Sequence, residues 1–357
     1  MGRYLNPSFD TSLSEVSPEE LSQLTRIVAY TNASQNTVRN LTCVTAPCSF
    51  GKTQLAQRLS AYYSRGSSQK NPFSSFKITR EISQFLQSRC LTAKTFADFL
   101  HQRDILFWNM RDFVTKFADQ ALPHLQEALC HDLRCGFSLK GAITQKPTVA
   151  DLLAAVDLPP DHRFFIIIDD WDAPFLLLPE ATTFHKDYLT LLRSLFSTSL
   201  NWQVIAGAYL TGTLPLRHCG AFPYLADFQE FSFWGNGGTS SYFYSTVPYD
   251  NAVPKSFPLL TRSLAHCSDE AVDVLQTLIN GRSALLDRTR LPINFMEERV
   301  HAQFMLSLLV DLGWLSFDPA TDRVSFTNES SRQTLLKLLK TVCPNPMPIT
   351  ISAEDSQ

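Results

Sequence analysis

Residues 44–55 read VTAPCSFGKTQL. A β-branched, apolar run, LTCVTA, leads into Gly51-Lys52-Thr53, and Leu55, Leu59 and Tyr62 then recur at helical spacing. A loop of the form GxxxxGK[ST] holds phosphates through backbone N–H groups, reaches the β/γ oxygens with its lysine and ligates Mg²⁺ through the Ser/Thr hydroxyl. The helix that follows turns its positive end toward the anion. Ala46 stands where the first glycine of that pattern is expected. The competing reading is a chance GKT at a helix start: the missing glycine favours it and the strand-loop-helix context opposes it.

The 357 residues are enough for one sizeable domain and a smaller one. Hydrophobic residues make up 44% of the chain, yet no apolar run approaches the ~20 residues of a membrane helix. The opening MGRYLNPSFD has no apolar h-region, so a cytoplasmic protein is expected. Gly2 does not make a myristoylation signal, because position 6 is Asn6 rather than Ser or Thr. A net charge of −3 gives no global attraction for nucleic acid. Eight cysteines lack CxxC spacing, and the nearest group, CHDLRC from Cys130 to Cys135, reads as buried free thiols on a helix before it reads as a metal site with His131.

Between residue 39 and about 210, short apolar runs alternate with longer helical segments, the pattern of a parallel sheet covered by helices. Strands are expected at 41–46, 104–109, 164–169 and 203–210, with helices at 52–64, 111–130, 147–157 and 183–197. Residues 235–257 are rich in Gly, Ser and Pro and read as a linker. Beyond helical segments around 268–281, AQFMLSLLVDLGWLSFDPATDRVSFTNESSRQTLLKLL reads as helix, strand, turn, strand, helix, an order compatible with a winged-helix module. With neutral-to-acidic composition, that module reads as a lid or a protein-docking element before a DNA-binding one.

A nucleotide site needs an acid at the end of a neighbouring buried strand, and RFFIIIDDWDAPF has one. Phe164 to Ile168 run straight into Asp169 and Asp170, with Asp172 two places later. In P-loop enzymes the first acid holds the metal's water shell and the next polarises the attacking water. A solvated turn is the bland alternative. In AYLTGTLPLRH, Thr211 ends an apolar strand and Arg217 follows six residues on, the arrangement of a γ-phosphate-reading group and a cation for the transition state.

Taken in order, these segments resemble the bacterial AAA-ATPase-like P-loop family, whose members often carry a C-terminal restriction-type nuclease domain. The matching pieces are Tyr4-Leu5-Asn6-Pro7, AYTN at 29–32, TAPCSFGKT, IIDDWD, AYLTGTLPLRHCG, LLVDLGWL and TNESSR. The family loop carries arginines where this chain has Ala46, Cys48 and Ser49, and the Glu of the family's DEWD is Asp170, one bond of ~1.5 Å shorter. The chain stops about where a nuclease domain would start, so nuclease activity is not expected.

The resemblance implies an α/β P-loop NTPase with a parallel sheet flanked by helices and a small C-terminal, α-rich, winged-helix-like module. The expected divisions are a core at 1–234, the linker at 235–257, the module at 258–342 and a flexible tail at 343–357. The cofactors implied are ATP and Mg²⁺. Ala46, Pro47, Cys48, Ser49, Phe50, Gly51, Lys52 and Thr53 would form the cradle, Thr53 and Asp169 would hold the metal, Asp170 would be the base, and Thr211 and Arg217 would sense the γ-phosphate. Two functional classes stay open. One is ATP binding with slow hydrolysis. The other is a degenerate, non-hydrolysing nucleotide-binding or nucleotide-free scaffold, which the loss of loop cations keeps alive. Partners implied are nucleotide and a protein docking on the C-terminal module, with no membrane.

Overall fold

A strand with no polar alternation must be covered on both faces, and β3 (Phe164–Asp169) is buried at every residue. So are β1 (Leu41–Thr45) and β4 (Ile205–Gly212). The computed structural model describes residues 3–9, 17–48, 50–65, 76–141, 145–159, 162–197, 200, 203–232, 255, 257–292, 294–296 and 299–342. With β2 (Asp104–Asn109) and β5 (Gln229–Phe231) at its edges, the sheet runs β2–β3–β4–β1–β5 and every neighbouring pair is parallel.

Successive residues of each strand feed opposite layers. Phe165, Ile167, Val44 and Tyr209 pack under α1 (Pro18–Ser34), α2 (Lys52–Tyr63) and α3 (Arg80–Ser88). Ile166, Ile168, Cys43 and Leu210 pack under α4 (Met110–Phe117), α5 (Ala121–Gly136), α6 (Val149–Ala155), α7 (Ala173–Leu177) and α8 (Thr182–Leu195). That second layer continues without a break through Phe257, Leu260, Phe304 and Trp314 into the C-terminal part of the chain. There α9 (Pro258–Ala265), α10 (Asp269–Ile279), α11 (Ala302–Asp311) and α12 (Glu329–Val342) surround a small antiparallel sheet of order β6–β8–β7, built from Ala284–Leu285, Arg323–Phe326 and Leu315–Asp318 respectively. The helix, strand, turn, strand, helix order read from residues 302–339 is the order found.

Two short motifs turn out to be braces. Tyr4-Leu5-Asn6 lies along the outer edge of β2: Asn6 N–H donates to the Ile105 carbonyl at 2.8 Å, Ile105 N–H donates to Asn6 Oδ1 at 2.7 Å, and Phe107 N–H donates to the Tyr4 carbonyl at 2.9 Å. An edge strand left bare is an aggregation template, and this strap covers it. Asn32, from AYTN, donates to the Tyr62 hydroxyl at 2.8 Å and accepts from the Tyr63 hydroxyl at 2.7 Å, tying α1 to α2.

Three expectations shift. The single helix expected at 111–130 is α4, a 3₁₀ turn at Ala118–Gln120 with Ala118 at φ 49°, and α5. Pro123 explains the break: mid-helix its ring would clash with the carbonyl of residue 119, whereas in the first turn of α5 its missing N–H costs nothing. The strand expected at 203–210 is β4 at 205–212, because its register with β1 carries Thr211 opposite Val44 and Gly212 opposite Thr45. In CHDLRC, Cys130 is buried as expected but Cys135 is exposed, with its Sγ 3.7 Å from His131 Nε2. Of the expected linker at 235–257 only Lys255 and Phe257 are among the described residues; the tail at 343–357 lies outside them, as does Ser49.

Gly212 closes β4 where two side chains of the turn after β3 crowd in. A Cβ there would sit 2.6 Å from Asp172 Oδ1 and 2.6 Å from Trp171 Cδ1. Gly212→Ala therefore forces a shift in a closely packed region, which typically costs ~1–3 kcal/mol. The midpoint of urea unfolding should fall accordingly, and an unchanged midpoint would mean that the 171–172 turn is not fixed as described.

Candidate functional site

The C-terminal ends of β1, β4 and β3 lie side by side, with Val44 opposite Thr211 and Thr211 opposite Asp169. Topology thus brings the GKT loop, Thr211 and the acids to one edge. Insertion of β4 between β1 and β3 puts Thr211 between the loop and Asp169.

Gly51 takes φ 70° at the start of α2, a left-handed conformation that glycine adopts without strain, and no side chain caps that helix. The first N–H groups of α2 have no intrahelical acceptor, so an anion is the natural partner. Lys52 is buried and folds back over the loop, its Nζ donating to the carbonyls of Ala46 and Pro47 at 2.8 Å each. Cys48, in the loop, places its Sγ 3.9 Å from the Thr213 hydroxyl. Phe50 is buried in the α1–α3 layer and anchors the loop from below.

Three carboxylates fall within four residues at the end of β3, and each is satisfied differently. Asp169 is fully buried. Burial, then the charge of Asp170, push its carboxyl up to about 6 against hydrogen bonding from Thr53 and Asn109 and the charge of Lys52. Its Oδ2 accepts from Asn109 Nδ2 at 2.8 Å, while Oδ1 and the Thr211 hydroxyl are buried without a partner in hydrogen-bonding geometry among the described residues. Asp172 is also pushed up to about 6, first by burial and then by Asp170. Its Oδ2 accepts the N–H groups of Thr213 at 2.8 Å and Leu214 at 2.6 Å, so it folds the chain leaving β4.

Asp170 behaves in the opposite way. It sits at φ 50°, which lets Trp171 N–H reach the Thr211 carbonyl at 3.1 Å. Burial works to raise its carboxyl, but hydrogen bonds and charge from Arg111 outweigh burial and hold it below the usual range. Arg111 grips both oxygens, Nε to Oδ2 at 2.8 Å and Nη2 to Oδ1 at 3.3 Å, and Asn109 adds a contact to Oδ2 at 3.3 Å. The sequence reading has Asp170 facing water; in this structure both of its oxygens are taken.

Asn109 and Arg111 are the residues that sequence reasoning passed over. The signal was present, because Asn109 ends the apolar run DILFWN as Asp169 ends its own. The Asn109 side chain also accepts from the N–H groups of Arg111 and Asp112, capping α4 and aiming Arg111 at Asp170. Arg217 lies on the 3₁₀ turn Leu216–His218 that follows β4, where its charge works to lower the carboxyl of the half-buried Glu230. Thr53, Asn109 and Asp169 open into a cleft of about 1540 Å³ that runs along α4 and α5 past Phe113 and His124.

The donors fit a hard divalent cation. A hydroxyl, a carboxylate with one uncommitted oxygen and a nearby threonine are oxygen ligands of the kind Mg²⁺ takes, with water completing its shell. Among the described residues no cluster of three or more His, Cys, Asp or Glu side chains forms a metal site by itself. No helix among the described residues is long and apolar enough to cross a membrane.

The family profile described as predicted AAA-ATPase, AAA-ATPase-like, matches residues 33–222, more than half of the chain. No curated protein matches the sequence significantly. Among solved structures, the ORC2 protein of Aeropyrum pernix in its ADPNP–ADP complexes aligns at 12% identity over 92% of this chain and 94% of that one, with a TM-score of 0.39. Cdc6p from Pyrobaculum aerophilum aligns at 13% identity over 93% and 96%, with a TM-score of 0.30. Scores this low carry no structural argument by themselves.

Because Asp172 serves two buried N–H groups, the side chain's shape matters more there than its charge. Asp172→Ala orphans both donors, each worth ~1–3 kcal/mol when left unpaired in the interior. Asp172→Asn keeps an acceptor and a neutral group where burial already disfavours the anion. Chemical denaturation should find the Ala variant destabilised by roughly 2–6 kcal/mol and the Asn variant by about half of that or less. Equal losses would remove Asp172 from its bracing role.

Proposed function

The chain belongs to the predicted AAA-ATPase family, and from that premise we propose that it is an ATP-binding protein whose hydrolysis is slow and Mg²⁺-dependent. The observation that carries this reading is the convergence, at the C-terminal ends of β1, β4 and β3, of the α2 N-terminus, Lys52, and an Asp169 Oδ1 and a Thr211 hydroxyl that have no hydrogen-bond partner among the described residues.

In this reading the N–H groups of the loop through Lys52 bind phosphate oxygens, and Lys52 exchanges its two carbonyl acceptors for the β/γ-phosphates. Thr53 and Asp169 hold Mg²⁺, which when bound neutralises phosphate charge. Thr211 hydrogen-bonds the terminal phosphate. Asp170 positions the attacking water once it is free of Arg111. Arg217, on the turn that follows β4, would neutralise charge on the terminal phosphate in the transition state. The alternative, a non-hydrolysing scaffold, is favoured by the pairing of Asp170 with Arg111 and by the loop's single cation.

Calorimetric titration with ATP, with and without Mg²⁺, tests the reading. Lys52→Ala should lower ATP affinity at least tenfold, given ~1.5–3 kcal/mol for a charge-assisted hydrogen bond. Asp169→Asn should remove the Mg²⁺ dependence while leaving metal-free nucleotide binding nearly intact. Binding that is absent from the wild type would leave only the nucleotide-free scaffold, and binding unchanged in Lys52→Ala would place the nucleotide away from this loop.

A further inference from the structure

Arg111 is held from two sides. One edge of its guanidinium grips Asp170, while its Cζ lies 5.3 Å from the centroid of the Phe257 ring. A planar guanidinium packed against an aromatic face gains cation–π attraction and loses freedom to turn away. Phe257 is buried and immediately precedes α9; its carbonyl accepts the N–H of Thr261 at 3.1 Å, so the ring moves only with that helix.

The helix in turn is fastened to both halves of the molecule. Arg262 pairs with Glu180, between α7 and α8, and donates to the carbonyls of Phe295 and Met296 at 3.4 Å each. Phe295 N–H donates to the His218 carbonyl at 2.7 Å, and His218 Nδ1 meets Asp311 Oδ2 of α11 at 2.7 Å. His218 belongs to the turn that follows β4, the strand carrying Thr211. The C-terminal module therefore grips the end of β4 with one element and seats Arg111 with another.

We propose that Phe257 is a positioning residue through which the C-terminal module holds Arg111 on Asp170 and so keeps turnover low. Displacement of α9, by a protein docking on the module or by movement of the β4 turn, withdraws the ring, and Arg111 then leaves the carboxylate free to orient water. This rests on the reading of Asp170 as the water-positioning acid.

The test uses the full chain and measures ATP affinity by calorimetry beside steady-state phosphate release. Phe257→Leu keeps apolar volume and removes the aromatic face. It should raise kcat about 2- to 20-fold, the range expected from losing a cation–π contact, with ATP affinity unchanged. Arg111→Gln should raise kcat at least as far. Adding Asp170→Asn to either variant should abolish the gain, an outcome that a general loosening of the structure would not give. If the wild type binds ATP but neither variant is faster, the proposal is overturned while the nucleotide-binding reading stands. It is also overturned if the gain survives Asp170→Asn, or if Arg111→Gln lowers ATP affinity tenfold, which would make Arg111 a phosphate ligand. A wild type that binds no ATP removes both readings together.

Discussion

Three carboxylates in four residues, two buried and one half-buried at the end of a wholly apolar strand, are the constraint around which this site is built. Left alone, charges so close and so poorly solvated would repel and drive one another neutral. The protein separates them by giving each a different environment. Asp172 turns inward to backbone N–H groups and becomes a brace for the chain leaving β4. Asp170 turns outward at positive φ to a guanidinium. Asp169 stays at the strand end, its Oδ1 without a partner in hydrogen-bonding geometry among the described residues. The burial that makes the cluster costly also makes it specific, because only a cation or a donor of the right geometry relieves what remains.

The contrast between Asp169 and Asp170 is the useful result of that arrangement. They are adjacent in sequence and share Asn109 as a neighbour, yet one is pushed up and the other held down. The difference lies in Arg111, which reaches Asp170 alone. Pairs of titratable groups driven apart by their surroundings are where distinct chemical roles are found. The asymmetry matches a division between holding a metal and handling water.

Much of this was legible in the residues, because the fold is dictated by burial on both faces. Phe164–Ile168, apolar at every position, reads as a central strand, and LTCVT before a Gly-Lys-Thr reads as the strand, loop and helix that the structure has. What was not legible depends on pairing at a distance. Nothing in MRDF shows that Arg111 meets a residue 59 positions away, since a surface arginine in the first turn of a helix has the same local pattern. The place of Arg217 is set in the same way, by the 3₁₀ turn after β4 and not by its six-residue distance from Thr211, and there its charge acts on Glu230. The break of α4 from α5 was readable in Pro123 and was missed because the apolar spacing continues across it.

The shortness of Asp170 takes on a different meaning once Arg111 is in view. Judged against a water-positioning glutamate, an aspartate is a carboxylate set back by ~1.5 Å, a defect of reach. Judged against the guanidinium, it is a carboxylate at the right depth for a two-point grip, with Asn109 completing the set. The missing loop cations at Ala46 and Cys48 fit the same logic. Positive charge has not vanished from the site; part of it now enters from the end of β2, close enough that Cys48 lies within electrostatic reach of Arg111. A cation on the loop itself would be fixed to the phosphates. One brought in on a neighbouring helix and seated against Phe257 can be moved by whatever moves that ring, so the same substitutions that weaken the site as a fixed catalyst are those that let the C-terminal module control it.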